Sequence, residues 1–596
     1  MGESTRTRLR RLCPSAPRGF PAPGTGTVLA GAVPRLCAGR RSEPSLRRPP
    51  VATTGRRSRM GRTAPSGRPR GRDSPPTDDR GPGADRRSGV RKPGRRMVPL
   101  GAPKLGCGRP GRVAAPPTVR AARPTHSRRS AANVPAEHAS PADRVHRRGR
   151  PGRFARERPG RCRNAAVSKG ALQGRQVIDA RGLVVAPGFI DLHVHGQTDE
   201  NYRVYAMDGV TTALELEVGV GDVPAFYSSH DGKSLINYGA SASHIKARMA
   251  VMHDGGTARG TLLPLDSAGH NAASDLQIAE MRRQIEAGLA AGALGVGMGL
   301  EYTPAATRYE VLEVFRAAAR YRVPVFVHTR ATGISEPGSS IESYLEVIGA
   351  SAITGAPVHI VHVNSTSLAA TPRTLALIRE AREHGLDVTT EAYPYAAGMT
   401  ELASPLLDRF ANGPDSMFAR LMLVSTGERL TRATFAANRT PGAMVILFLN
   451  TPEMEALAVT SPLTAIASDG FLANGKGHPR TAGTSGRVLG HYVRESGQLR
   501  LVEAIRKLAL MPAQRLERNA PMFRNKGRIK VGADADITVF DPATVADRAT
   551  YQQPALPSVG FRHVLVNGVP VVADGVLKDG VFPGRAARGP IRAVAP

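Results

Sequence analysis

The chain carries only four cysteines, Cys13, Cys37, Cys107 and Cys162, and all of them precede residue 165. Their spacing fits no metal-binding pattern, so the rest of the chain has neither a disulfide nor a thiolate ligand to offer. A reducing, cytoplasmic location is the expectation. Runs of eighteen or more apolar residues are also missing, the longest candidate being the short stretch Ala443 to Leu449, and a membrane-spanning helix is not expected. Apolar residues as such are not scarce. At 596 residues and 41% hydrophobic, the chain exceeds one average domain and can build a large core, which excludes wholesale disorder.

Acidic residues are scarce in one place only. Of 82 Lys+Arg and 49 Asp+Glu, residues 1–164 hold 40 and 9, leaving 42 and 40 for the remainder. The net charge of +33 therefore resides in the first segment, and the body is nearly neutral. Stretches such as Thr63 to Arg72 show no apolar periodicity, so residues 1–164 are expected to be disordered and Arg/Pro-rich. The composition is that of GC-rich coding sequence from a wrong start or a wrong reading frame. A targeting peptide would be far shorter, and its helix would not tolerate so many prolines. Nucleic acid would be bound at most nonspecifically, through arginine on phosphate.

From Ala165 onward, strands alternate with amphipathic helices. Val177 to Val185 reads as two short strands, and an apolar strand from Ala186 ends in His193 and His195. Ser274 precedes a helix with Ile278, Met281, Ile285 and Leu289 on one face and Gln277 placed for a capping box. Strands then recur at Leu294 to Met298, Val323 to His328, Val358 to His362 and Leu386 to Glu391, separated by helices around Val311 to Ala319 and Leu375 to Ala381. Such alternation implies an α/β fold, either a closed barrel or an open doubly wound sheet. An open sheet would call for a glycine-rich phosphate loop after its first strand; that place holds the two histidines, and the barrel is favoured. Near the end, Asn567-Gly568 between two apolar runs marks a hairpin. The domain reading is a disordered 1–164, the first part of a small β-domain at 165–187, a metal-dependent barrel at 188–520, and the rest of the β-domain at 521–596.

His193 and His195, two residues apart on an extended strand, point the same way and suit one metal ion. Two further strands end in His328 and His362, and imidazoles at three strand ends converge at one barrel mouth. Asp469 ends another apolar strand, where it could ligate metal and shuttle a proton. His359 reads as a packed core histidine, and His244, His253, His270 and His563 as structural.

Pro187 to His195, Gly209-Val210-Thr211-Thr212, the strands ending at His328 and His362, and Ser468-Asp469-Gly470 together resemble the amidohydrolase superfamily. Glu391 to Tyr395, His478-Pro479-Arg480 and Gly486 to Tyr492 are most similar to the D-aminoacylases, the N-acyl-D-amino-acid deacylases. The resemblance spans about residues 165 to 596. It implies a (β/α)8 barrel of the TIM type with a small β-sandwich and one or two Zn2+ ions. His193, His195, His328, His362 and Asp469 would be the metal ligands, and Asp469 also the catalytic acid/base. Arg480 and Tyr393 would hold the carboxylate and acyl carbonyl of a small N-acyl amino acid. The implied activity is hydrolysis of the amide of N-acyl-D-amino acids. The alternatives are a cyclic-amide hydrolase of the dihydroorotase or hydantoinase type and a catalytically inactive barrel scaffold.

Two departures from the resemblance stand out. Relatives bridge metals with a carbamylated lysine on the fourth strand, or use a cysteine after the second; Gly297-Met298-Gly299 has no lysine, and the body has no cysteine. Glu217 is the expected substitute, with Glu215 a solvated turn carboxylate. The β-strands that complete the sandwich in relatives are replaced by the Arg/Pro-rich segment, so Ile537 to Phe540 and Val564 to Val572 are expected to lack partners and expose an edge.

Overall fold

The computed structural model describes residues 10–12, 162–168, 173–174 and 176–592. The expectation of disorder for residues 1–164 otherwise lies outside the described residues.

Eight parallel strands form the central sheet in sequence order: Phe189–Asp191, Val210–Val220, Asn237–Ser243, Val296–Gly299, Val325–His328, Val358–Ile360, Val388–Ala392 and Thr464–Ile466. Beyond their ends the first and eighth strands meet. The Asp469 amide donates to the His193 carbonyl at 2.7 Å, and the His195 amide donates to the Gly470 carbonyl at 2.8 Å. The sheet closes into a barrel there. Helices connect the strands as the apolar periodicity predicts. Helix Asp275–Ala290 starts at Ser274, whose hydroxyl accepts from the Gln277 amide in the expected capping box, and it buries Ile278, Met281, Ile285 and Leu289. Helices Arg308–Tyr321 and Thr371–Glu383 bury Val311 and Phe315, and Leu375 and Ile378, against the same barrel.

Two apolar clusters make up most of the barrel core. The larger unites strands and outer helices; the second gathers Ile190, Leu192, Leu214, Leu216, Leu294 and Phe326 from the strands with Ala513, Leu516 and Phe523. Both remove apolar surface from water at roughly 25 cal/mol per Å2.

A small antiparallel sheet lies beside the barrel, ordered 576–577, 569–573, 561–566, 537–540, 184–187. Its hairpin turns at Asn567 and Gly568, with φ of 49° and 82°, the left-handed pair that a two-residue turn requires. Ile537–Phe540 pairs with Val184–Pro187 on one side and Phe561–Val566 on the other, so the predicted unpartnered edge is absent at this strand. Val177 to Ala180 is not a strand; Ile178 and Ala180 instead cover Ile537, Val539 and Leu565. Gly209 joins sheet and barrel. Its carbonyl accepts from the Thr538 hydroxyl at 2.6 Å, and at φ 83° a Cβ there would meet Phe561 at 2.7 Å.

The described structure extends upstream of Ala165. Arg163–Ala166 pairs with Arg10–Leu12, and the Asn164 amide donates to the Ala533 carbonyl at 2.9 Å. Backbone pairing needs no side-chain periodicity, so these strands are invisible in an arginine-rich composition. Cys162, which precedes the body that starts at Ala165, is buried and disulfide-bonded. None of the helices among the described residues is long and apolar enough to cross a membrane.

Between the seventh and eighth strands the chain inserts a three-stranded antiparallel sheet, Gly398–Glu401, Met444–Leu447 and Leu421–Leu423. Its central strand is the apolar stretch noted in the sequence.

Candidate metal centre and active site

The barrel delivers the predicted residues to one place. Asp191, His193 and His195 alternate on the first strand and its extension, so their side chains share a face. Asp191 is buried, and its carboxylate accepts from the amides of His193 at 3.0 Å and Ser468 at 3.1 Å, which pins the first strand to the eighth. His362 and Asp469 lie just past their strands with positive φ, 29° and 52°. Such backbone costs roughly 1 kcal/mol or more in a non-glycine residue and is retained where it aims a functional side chain.

Glu217 stands at the centre. Its Oε2 lies 3.1 Å from Nε2 of both His193 and His195, and its Oε1 lies 2.7 Å from His328 Nδ1 and 3.4 Å from His362 Nε2. The two Nε2 atoms of His193 and His195 are themselves 3.2 Å apart, and Asp469 Oδ1 is 3.2 Å from that of His195. Carboxylates on the far sides decide the tautomers: His193 Nδ1 donates to Glu391 at 2.7 Å, and His195 Nδ1 donates to Glu215 at 3.0 Å. Both Nε2 lone pairs then face Glu217 and Asp469, which are acceptors too. Acceptors alone cannot hold one another, so the cluster calls for positive charge, either as protons on the imidazoles or as a cation among the ligands. Donors about 2.0–2.1 Å from a tetrahedral ion lie roughly 3.3 Å apart, the spacing found here. Two overlapping groups, His193 with Glu217 and His362, and His193 with His195 and Asp469, have ligand atoms close enough for one ion.

The charge balance points the same way. Burial works against protonation of His193, but Asp469 and Glu217 outweigh it and push the imidazole up to about 10. His328 is likewise pushed up to about 9, against its burial, by Glu217 and Glu301. Burial works against ionisation of Asp469, yet the Arg480 and His193 charges hold its carboxyl well below the usual range. The cluster demands positive charge that a divalent ion would supply in place of protons.

Arg480 is fully buried at the start of helix Arg480–Arg487, not a solvated loop charge. Its Nε donates to the Asp469 carbonyl at 2.7 Å, its Nη2 lies 2.8 Å from Asp469 Oδ2, and its guanidinium stacks 4.4 Å from the Tyr393 ring centroid. Nη1 is buried with no partner. Tyr393 and Asp469 line a cavity that also includes Glu301, His328, His362, Leu406 and Arg409, and Arg480 lies one layer behind them. A larger open cavity of about 610 Å3, lined by Tyr395, Arg487 and His491, adjoins it at Ala396 but does not contain the converging ligands.

Three carboxylates that surround the cluster were not assigned a role from the sequence. Glu215 is a correction: it is 4% exposed rather than solvated, and besides His195 it accepts from the amides of Val218 and Gly219. Their two-residue spacing places Glu215 and Glu217 on one face of the strand, and both side chains meet the histidines of the site. Glu391 ends the seventh strand and also meets Nε2 of His359 at 3.1 Å, so that core histidine braces the carboxylate behind His193. Glu301, just past the fourth strand, meets His328 Nε2 at 2.9 Å. Glu391 and Glu301 share a signal, a carboxylate at or just beyond a strand's C-terminal end, whereas Glu215 lies mid-strand. His244 is buried against Glu310, His270 pairs with Asp408 at the surface, and both lie outside the cluster.

Comparison with known proteins places this geometry. The model of the Amidohydrolase family matches residues 176–398 and 375–572. D-aminoacylase of Alcaligenes xylosoxydans xylosoxydans is 31% identical over 434 residues, covering 66% of this chain and 85% of the relative. N-acyl-D-glutamate deacylase of the same organism is 28% identical, covering 66% and 84%. Among solved structures, N-acyl-D-glutamate deacylase from Bordetella bronchiseptica, complexed with zinc and a phosphonate inhibitor, superimposes with a TM-score of 0.60 at 28% identity over 72% of this chain and 94% of that one. On the family match and the extent of these likenesses, the chain belongs to the amidohydrolase family and is a hydrolase of carbon–nitrogen amide bonds.

Proposed function

We propose that the protein is a metal-dependent hydrolase that removes the acyl group from N-acyl-D-amino acids. The carrying observation is the convergence of buttressed imidazole lone pairs on Glu217 beside Asp469. The likeness to D-aminoacylase and N-acyl-D-glutamate deacylase supplies the substrate class.

The donors fit Zn2+, which accepts imidazole nitrogen and carboxylate oxygen at four-coordinate sites. His193, His195, Glu217 and Asp469 would hold one ion, and Glu217, His328 and His362 a second. When bound, such an ion lowers the pKa of water and polarises the acyl carbonyl. Asp469, kept ionised by Arg480, takes the proton from the attacking water and delivers it to the departing amine. Burial pushes the Tyr393 phenol up to about 12, so it stays protonated and donates to the acyl carbonyl. Arg480, its Nε and Nη2 held by Asp469, would offer Nη1 to the substrate carboxylate from behind Tyr393 and Asp469.

Metal content of the purified chain, with turnover of acetylated D-amino acids, hydantoin and dihydroorotate, tests the reading. Zinc with release of D-amino acid supports it. Turnover of only the cyclic amides, or a protein without metal, removes it.

A further inference from the structure

The reading above leaves the side chain of the amino acid open. The cavity beside the metal centre has an inner wall from the barrel and an outer wall from the inserted sheet. The outer wall is largely apolar, with Met399, Leu406, Leu447 and Leu449. Apart from histidines, Arg409 is the sole cationic side chain among the described residues lining it. Arg409 is already engaged, its Nη1 lying 2.9 Å from Glu301 Oε1. Glu301 is 7% exposed in its side chain and fixed by His328 and by the Thr332 hydroxyl at 3.1 Å, whereas Arg409 is 41% exposed. If Arg409 swings outward, the cavity is left with the Glu301 carboxylate. Whether the pair is closed or open, an acidic substrate side chain meets no free cation and faces a fixed negative charge.

We infer that Glu301 is a specificity-determining residue: by neutralising Arg409 it restricts this site to N-acyl-D-amino acids with uncharged, apolar side chains, in contrast to the acidic substrates named for two of the relatives. The inference rests on the deacylase reading.

The test compares kcat/KM for N-acetyl-D-leucine and N-acetyl-D-glutamate in the full-length, zinc-loaded protein. The wild type is expected to favour leucine by about 100-fold or more, since a buried group left facing a like charge rejects its ligand strongly. Glu301→Gln frees Arg409 and shifts the ratio toward glutamate by at least about tenfold, and adding Arg409→Met to that variant reverses the shift. In the wild-type background Arg409→Met lowers glutamate turnover by no more than about threefold. Should Glu301→Gln lose turnover because His328 loses its partner, the same ratio is read from calorimetric binding constants of the two compounds. A wild type that prefers glutamate, an unchanged ratio in Glu301→Gln, or an Arg409→Met single variant that abolishes glutamate turnover overturns the inference while leaving the deacylase reading intact. Failure to hydrolyse either compound sinks that reading, and the inference with it.

Discussion

The two ends of the barrel bury charge in opposite ways. At the C-terminal mouth four histidines and five carboxylates crowd together, and the excess negative charge calls for protons on the imidazoles or a cation. Toward the other end, Lys526 Nζ lies 2.6 Å from Asp536 Oδ2, whose other oxygen accepts from the Asn567 amide at 2.7 Å, while Asn237 Nδ2 donates to Oδ2 at 3.1 Å. That network is closed. Lys507, near the start of the eighth strand, is buried and donates to the Thr464 carbonyl at 2.8 Å and the Thr464 hydroxyl at 3.0 Å. A frustrated end and a satisfied end on one scaffold separate function from stability.

The sharpest way to break this contrast is at Asp469. Asp469→Asn keeps the shape but removes the base, and kcat/KM is expected to fall by about 1,000-fold or more while circular dichroism and the melting temperature stay close to wild type. A large loss of fold in that variant would falsify the division. At the far end, Lys526→Met leaves buried carboxylates without their cation and should cost about 3–5 kcal/mol in urea unfolding, with kcat/KM of the surviving folded protein unchanged. Glu391→Gln withdraws the anion behind His193, and metal analysis after dialysis should show affinity lower by about 10- to 100-fold. Arg480→Lys keeps the charge but not the fork, and should raise KM by about tenfold, more than it lowers kcat.

The contrast also has a signature in pH dependence. Burial drives Lys507 down to about 7, against an ordinary lysine value of 10.5. Between those values the unfolded chain binds more protons than the folded one, so this group makes stability rise with pH through that window. Unfolding midpoints of wild type and Lys507→Met, compared from pH 7 to 10, should show the rise in the wild type alone, on the order of a few kcal/mol at most.

Much of the mouth could be read from the chain because strand ends announce themselves. His193, His195, His328 and His362 each follow an apolar run, and parallel strands of a barrel must point those ends the same way. Glu215 was harder: it shares a strand face with Glu217 two residues on, yet nothing in the sequence distinguishes a buried buttress for His195 from a solvated carboxylate. Glu301 and the Arg409 contact were beyond reach, because they join the loop after the fourth strand to an insertion whose docking depends on tertiary contacts rather than on local pattern. The strand Arg163–Ala166 was missed for a related reason: it is held by backbone bonds and by long-range contacts of Arg163 with Gly532 and Asp534, which leave no local pattern.

The hydrogen bonds between His193 and Asp469 and between His195 and Gly470 complete the ring of strands with the very residues proposed to do the chemistry. Opening that seam and dismantling the catalytic constellation are therefore a single event. Amide exchange at His195 and Asp469 becomes a direct gauge of whether the centre is assembled, independent of any substrate.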